Sequence, residues 1–121
     1  MTEVFDKETH KKTGRREDID ITGDEFKEWV SAKWVFPPEV RMRDYRHPAM
    51  FPEELPRRVI KLFSYRGDLV LDPFNGAGTT TLVARRFGRR FVGIDISPDY
   101  CRIAMTRLRR AGAPVRSIVW E

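Results

Sequence analysis

Four residues in the middle of the chain have the types and spacing to hold a ligand: Asp72, Gly76, Gly78 and Asp95. Two carboxylates can accept hydrogen bonds from hydroxyl or ammonium groups, and two glycines let another molecule approach the main chain closely. Asp72 closes the apolar run Leu69-Val70-Leu71, and Asp95 closes Phe91-Val92-Gly93-Ile94, 19 positions after Gly76. In a nucleoside-binding βαβ unit, an acidic residue about 20 positions beyond the glycine turn sits at the tip of the second strand, within reach of ribose hydroxyls.

These residues must be positioned by a strand, a tight turn and a helix, and Leu69 to Phe87 reads as that sequence of elements. The run 69–71 predicts a strand covered on both faces. Thr79 or Thr80 can cap the helix that follows, Leu82 and Val83 give it an inward face, and Gly88 stops it. The strand end and the bare N–H groups of the helix start converge on one point. A glycine turn can serve packing alone, but the carboxylate on the second strand gives this one a ligand to share.

Three cofactors use such a unit. A nucleotide phosphate would require Gly-Lys-Ser/Thr after the glycines, which is absent. A dinucleotide would place its third glycine at Thr81, and neither an arginine nor a further glycine is set to meet a pyrophosphate. S-adenosylmethionine has the ribose and adenine without the phosphate, and Asp72, which would repel pyrophosphate, matches the ammonium of its methionine end.

DPFNGAGTT followed by FVGIDISPDY resembles motifs I and II of the amino-methylating DNA methyltransferases, which modify adenine N6 or cytosine N4. HPAMFPEELPRRVI, just before, resembles the motif X that precedes motif I in the permuted (β-type) order of that family. The resemblance covers about 22–108. It implies an α/β fold, a partial doubly wound, Rossmann-like (class I methyltransferase) and mostly parallel sheet with flanking helices. It implies S-adenosylmethionine as cofactor and DNA as partner. Asp95 would then hold the ribose, Asp72, Pro73 and the Gly76–Gly78 backbone the methionine end. Phe74 would lie against the cofactor, Ile96 beside the adenine, Thr79 and Thr80 at the helix start, and His47 and Pro48 in the motif X loop.

The rest of the chain frames this unit. At 121 residues it has room for one domain, with 34% charged residues and no run approaching a membrane span. Residues 1–20 read as a mobile polar leader, and 21–121 as the S-adenosylmethionine-binding part of a methyltransferase domain. Thr22 and Glu25 form a capping box, with Phe26, Trp29 and Val30 as the buried stripe of a helix. Trp34-Val35-Phe36 is a short strand candidate ended by Pro37-Pro38. A helix starts at Pro52, buries Val59, Ile60, Leu62 and Phe63, and stops by Gly67; another, capped by Ser97, faces inward through Tyr100, Ile103, Ala104 and Leu108. Residues 115–120 are a candidate third strand. Cys101, the single cysteine, fits a buried thiol in a reducing cytoplasm, and no Cys/His spacing calls for a metal.

The net charge of +5 divides into −3 over residues 1–30 and +8 over 31–121. The arginine clusters of the basic part fit a phosphate-rich partner, with Arg41, Arg43 and Arg46 as DNA-contacting candidates. The family's catalytic loop, Asp/Ser/Asn-Pro-Pro-aromatic, precedes motif X in the permuted order. Pro37-Pro38 is the pair available there, but Phe36 precedes it and Glu39 follows it, so it has neither the acceptor nor the aromatic. The catalytic residues are therefore unassigned. The expectation is the cofactor-binding part of an adenine-N6 or cytosine-N4 DNA methyltransferase. The alternative is a catalytically inactive nucleoside-binding or assembly module, a remnant or a subunit of a split enzyme. A nicotinamide enzyme is a weaker third reading. Trp29, Trp34, Phe36 and Trp120 predict apolar surface covered by a homodimer partner or by a second chain that supplies the loop.

Overall fold

The computed structural model describes residues 16–31, 33–36 and 51–116. After a single 3₁₀ turn at Arg16–Asp18 come α1 (Gly23–Trp29), α2 (Glu54–Phe63), β1 (Leu69–Asp72), α3 (Thr79–Arg86), β2 (Arg90–Gly93) and α4 (Pro98–Arg110). β1 and β2 pair in parallel, with Leu69 opposite Arg90 and Asp72 opposite Gly93. The expected βαβα order is present. Pro37-Pro38, Arg41, Arg43, Arg46, His47, Pro48 and residues 117–120 of the third-strand candidate lie outside the described residues; Val115 and Arg116 are not in a strand.

The core is built on α3. Val83 and Ala84 are fully buried against Ile60 of α2, with Val70, Phe87 and Phe91 around them. Leu82 packs with Leu108 and Ala113, again beside Phe91, so one β2 aromatic joins both clusters. Each of the larger buried side chains, Ile60, Leu82, Val83 and Leu108, stabilises the fold by about 1.5–3 kcal/mol at most.

Among the described residues only one face of the sheet is covered. Leu69 and Leu71 are 54% and 57% exposed and Val92 is 42% exposed, while Val70 and Phe91 point to α3. This corrects the expectation that 69–71 is covered on both faces: side chains alternate along a strand, and α2 and α3 pack from the same side.

Local chemistry explains the ends. The Thr22–Glu25 capping box forms reciprocally, each bond 3.0 Å. Ser97 caps α4 through the Tyr100 N–H, and Gly88 lies beyond α3 with φ +77°. Other expectations for the helices need correction. α3 is capped by neither Thr79 nor Thr80: Gly78 is its N-cap, left-handed at φ +86°, with no side-chain bond. Phe26 and Val30, at the end of α1, are exposed and only Trp29 is buried. On α2, Ile60 is buried but Val59 and Phe63 are exposed.

Residues 33–36 form no strand. Their aromatics turn onto α2, where the Arg58 guanidinium lies over Trp34 and Phe36 at 5.6 and 4.9 Å and over Trp29 at 5.5 Å. Trp29 is buried and Trp34 and Phe36 are half-buried there; among the described residues, bare apolar side chains stand on the sheet face at Leu69, Leu71 and Val92 and away from it at Phe26, Val35 and Phe63.

Candidate functional site

Two turns meet at the carboxyl ends of the strands. The ladder continues past β2 when the Ile94 N–H donates to the Asp72 carbonyl at 2.9 Å, and it crosses back when the Asn75 N–H donates to the Ile94 carbonyl at 2.9 Å. One residue on, the Gly76 N–H donates to Asp95 Oδ2 at 2.9 Å, and the Ser97 N–H donates to Asp95 Oδ1 at 2.8 Å. Each Asp95 oxygen thus accepts one main-chain N–H and keeps a further lone pair. The carboxylate expected to face a ligand also brackets the glycine turn to the β2–α4 turn.

Asp72 holds its own turn, accepting from the Phe74 N–H at 2.9 Å through Oδ1. It also lines an apolar cavity of about 320 Å³, together with Phe51, Leu55, Pro56 and Val59 on the α2 side and Val70, Leu71 and Thr80. Asp72 and Thr80 are the polar residues of that lining. At the strand tips, Phe74 is 87% exposed and Ile96 fully exposed, and Pro73 is exposed between Asp72 and Phe74. Gly76 and Gly78 are buried, with φ +54° and +86°. Thr79 is turned inward, its hydroxyl accepting from Arg107 Nη1 at 3.0 Å.

Several arginines of the basic part are paired within the chain. Arg107 is buried beneath the turn and donates to the Ala77 carbonyl at 2.9 Å as well as to Thr79. Arg89 is buried and bonds Asp20, Ser64 and Phe87. Arg57 pairs with Glu54 and Glu25, and Arg86 with Glu53. Arg85, Arg90, Arg109 and Arg110 are exposed. Arg107 had a sequence signal, since it falls on the Ala104–Leu108 face of α4. Asn75 and Thr81, which bond each other behind the turn, were not singled out by sequence reasoning.

A family profile described as DNA methylase matches residues 2–106. The chain belongs to the DNA methylase family. The resemblance to amino-DNA methyltransferases is thus borne out, and so is the Rossmann-like α/β class. The type II methyltransferase M2.DpnII of Streptococcus pneumoniae is 51% identical over 63 residues, 52% of this chain and 24% of that protein. The DNA adenine methyltransferase YhdJ of Escherichia coli (strain K12) is 46% identical over 78 residues, 62% of this chain and 26% of that one. TTHA0409 of Thermus thermophilus, described as a DNA modification methylase and solved in complex with S-adenosyl-L-methionine, superposes with a TM-score of 0.65 at 35% identity, covering 79% of this chain and 36% of its own. The chain therefore spans about a quarter of the curated relatives named here.

Proposed function

We propose that this methylase chain is the S-adenosylmethionine-binding part of an adenine-N6 or cytosine-N4 DNA methyltransferase. The observation that carries the reading is the junction of the two strand ends, where Asp95 is fixed by Gly76 and Ser97 with lone pairs to spare. Asp95 would take the ribose hydroxyls. The cavity that Asp72 helps to line would take the methionine end, the carboxylate meeting the ammonium and the apolar wall the thioether chain. Phe74 and Ile96, exposed on either side, would flank the adenine. When bound, S-adenosylmethionine supplies a sulfonium methyl group; the described residues of this chain bind and orient it. The relatives' names and the cofactor complex of the Thermus neighbour support this reading.

Asp95→Ala is expected to weaken cofactor binding by about 1–3 kcal/mol through lost charge-assisted hydrogen bonds. Calorimetry on the wild-type and variant chains measures this. Wild type that takes up no cofactor at millimolar concentration contradicts the reading.

The exposed sheet face carried by Leu69, Leu71 and Val92 favours a second element to the proposal. It would be covered by a second copy of this chain, or by a second chain that also supplies the catalytic loop. The 121-residue chain alone is therefore expected to transfer no measurable methyl to mixed-sequence DNA, and to do so once a chain carrying the Pro-Pro-aromatic loop is added. A tritiated-methyl assay reads both arms. Robust transfer by the chain alone would refute this part.

A further inference from the structure

The geometry points to Asn75 as a positioning residue that sets how Asp95 is presented to a ribose, an inference that rests on the cofactor reading above. Asn75 lies between the two strand ends and binds in three directions. Its N–H donates to the Ile94 carbonyl at 2.9 Å, and its carbonyl accepts from the Gly78 N–H at 2.9 Å. Its Nδ2 donates to Thr81 Oγ1 at 3.2 Å, and that hydroxyl donates onward to the Gly78 carbonyl at 3.1 Å. Thr81 is 1% exposed and Asn75 half-buried, so the Thr81 end of this side-chain relay is shielded from water, where a hydrogen bond orients its partners most firmly.

Gly93 supplies the space. A Cβ at position 93 would lie 2.3 Å from Asn75 Nδ2, 2.6 Å from Asn75 Cγ and 3.0 Å from Thr81 Cγ2. The carboxamide therefore occupies the volume a β2 side chain would fill, two residues before Asp95. The next residue after Asn75 is Gly76, whose N–H holds Asp95 Oδ2. Asn75 thereby fixes the distance between the glycine turn and β2, and Gly76 passes that placement to the carboxylate. Truncation at Asn75 keeps the two main-chain bonds but removes the carboxamide's bond to Thr81 and its packing on Gly93, so the turn can shift relative to β2 and the Asp95 oxygens lose their fixed aim at a vicinal diol.

The test compares S-adenosylhomocysteine with its 2′-deoxy analogue by calorimetry, and follows melting temperature separately. Wild type is expected to prefer the full diol by roughly tenfold, the worth of one or two hydrogen bonds to a charged group. Asn75→Ala is expected to lose most of that preference while holding the deoxy analogue nearly as before. Thr81→Val, which breaks the relay from the α3 side, should do the same. Asn75→Ala combined with Gly93→Ala refills the vacated volume without restoring the bonds. It is expected to regain melting temperature but not the preference. Recovery of both in the double variant, or an unchanged preference in the single variants, overturns the positioning role while leaving the cofactor reading intact. Absence of binding by wild type overturns both.

Discussion

Asp20→Ala is expected to destabilise the chain by about 3–5 kcal/mol, because it leaves a buried guanidinium without its counter-charge. Arg89 has a fully buried side chain, and Asp20 is 13% exposed beside it. Arg89 grips Asp20 through both terminal nitrogens, with Nη2 to Oδ1 at 3.0 Å, and uses Nε on Ser64 Oγ at 2.9 Å and Nη2 on the Ser64 carbonyl at 2.7 Å. One pair thus fastens the segment before α1 to the end of α2 and to the start of β2. Burial pushes the Asp20 carboxyl up, but the hydrogen bonds and charge of Arg89, with Lys61 and Arg66 beyond, outweigh it and hold the carboxyl below its ordinary range. A carboxyl lowered on folding contributes its stability in full above the unfolded value and loses it as pH falls through the folded one. Urea denaturation should therefore show wild type weakening progressively below about pH 4, and the variant weak at neutral pH with a shallower acid slope. A variant within about 1 kcal/mol of wild type at pH 7 would mean that the pair is not a fastening.

Gly78→Ala should remove about 2–5 kcal/mol and, with it, cofactor binding. Two independent effects add. Gly78 sits at φ +86°, which for a residue with a Cβ is strained by about 1–2 kcal/mol. The new Cβ would also lie 2.6 Å from Ala104 Cβ and 2.9 Å from its Cα, so α3 and α4 would have to separate. Overpacking of this kind adds about 1–3 kcal/mol. Gly112 isolates the first effect: it has φ +79° and open space within 4 Å of where a Cβ would stand, so Gly112→Ala should show the backbone cost alone. Ala104→Gly placed on Gly78→Ala should return part of the second. Equal melting temperatures for Gly78→Ala and Gly112→Ala would show that close contact with α4 is unimportant.

Much of the site's scaffold was legible because it is written locally. Gly76 and Gly78 stand where the main chain needs positive φ, Ser97 where α4 has orphan N–H groups, and Thr22 and Glu25 at the reciprocal spacing of a capping box. The 19-residue interval from Gly76 to Asp95 is the length of a turn, a helix and a second strand, so the contact between them follows from element lengths alone. Those signals, with DPFNGAGTT, carried the family and the α/β class. What failed was any inference from side-chain type without a partner. Arginines were read as outward charge, and Trp34 and Phe36 as a strand, whereas they form a cation–aromatic cluster with Arg58.

The amino-acid order by itself determined the strand–turn–helix unit, the acidic tip of each strand and the breaks between helices, because backbone sterics, capping and hydrophobic period act over a few residues. Tertiary structure alone decided that Arg89 meets Asp20 across 69 positions, that Asn75 fills the space left by Gly93, and that, among the described residues, Leu69 and Leu71 are left exposed on one face of the sheet. Such pairings depend on which side chains share a volume once α2, α3 and α4 have docked, and neither the charge nor the polarity of a residue names its partner in advance.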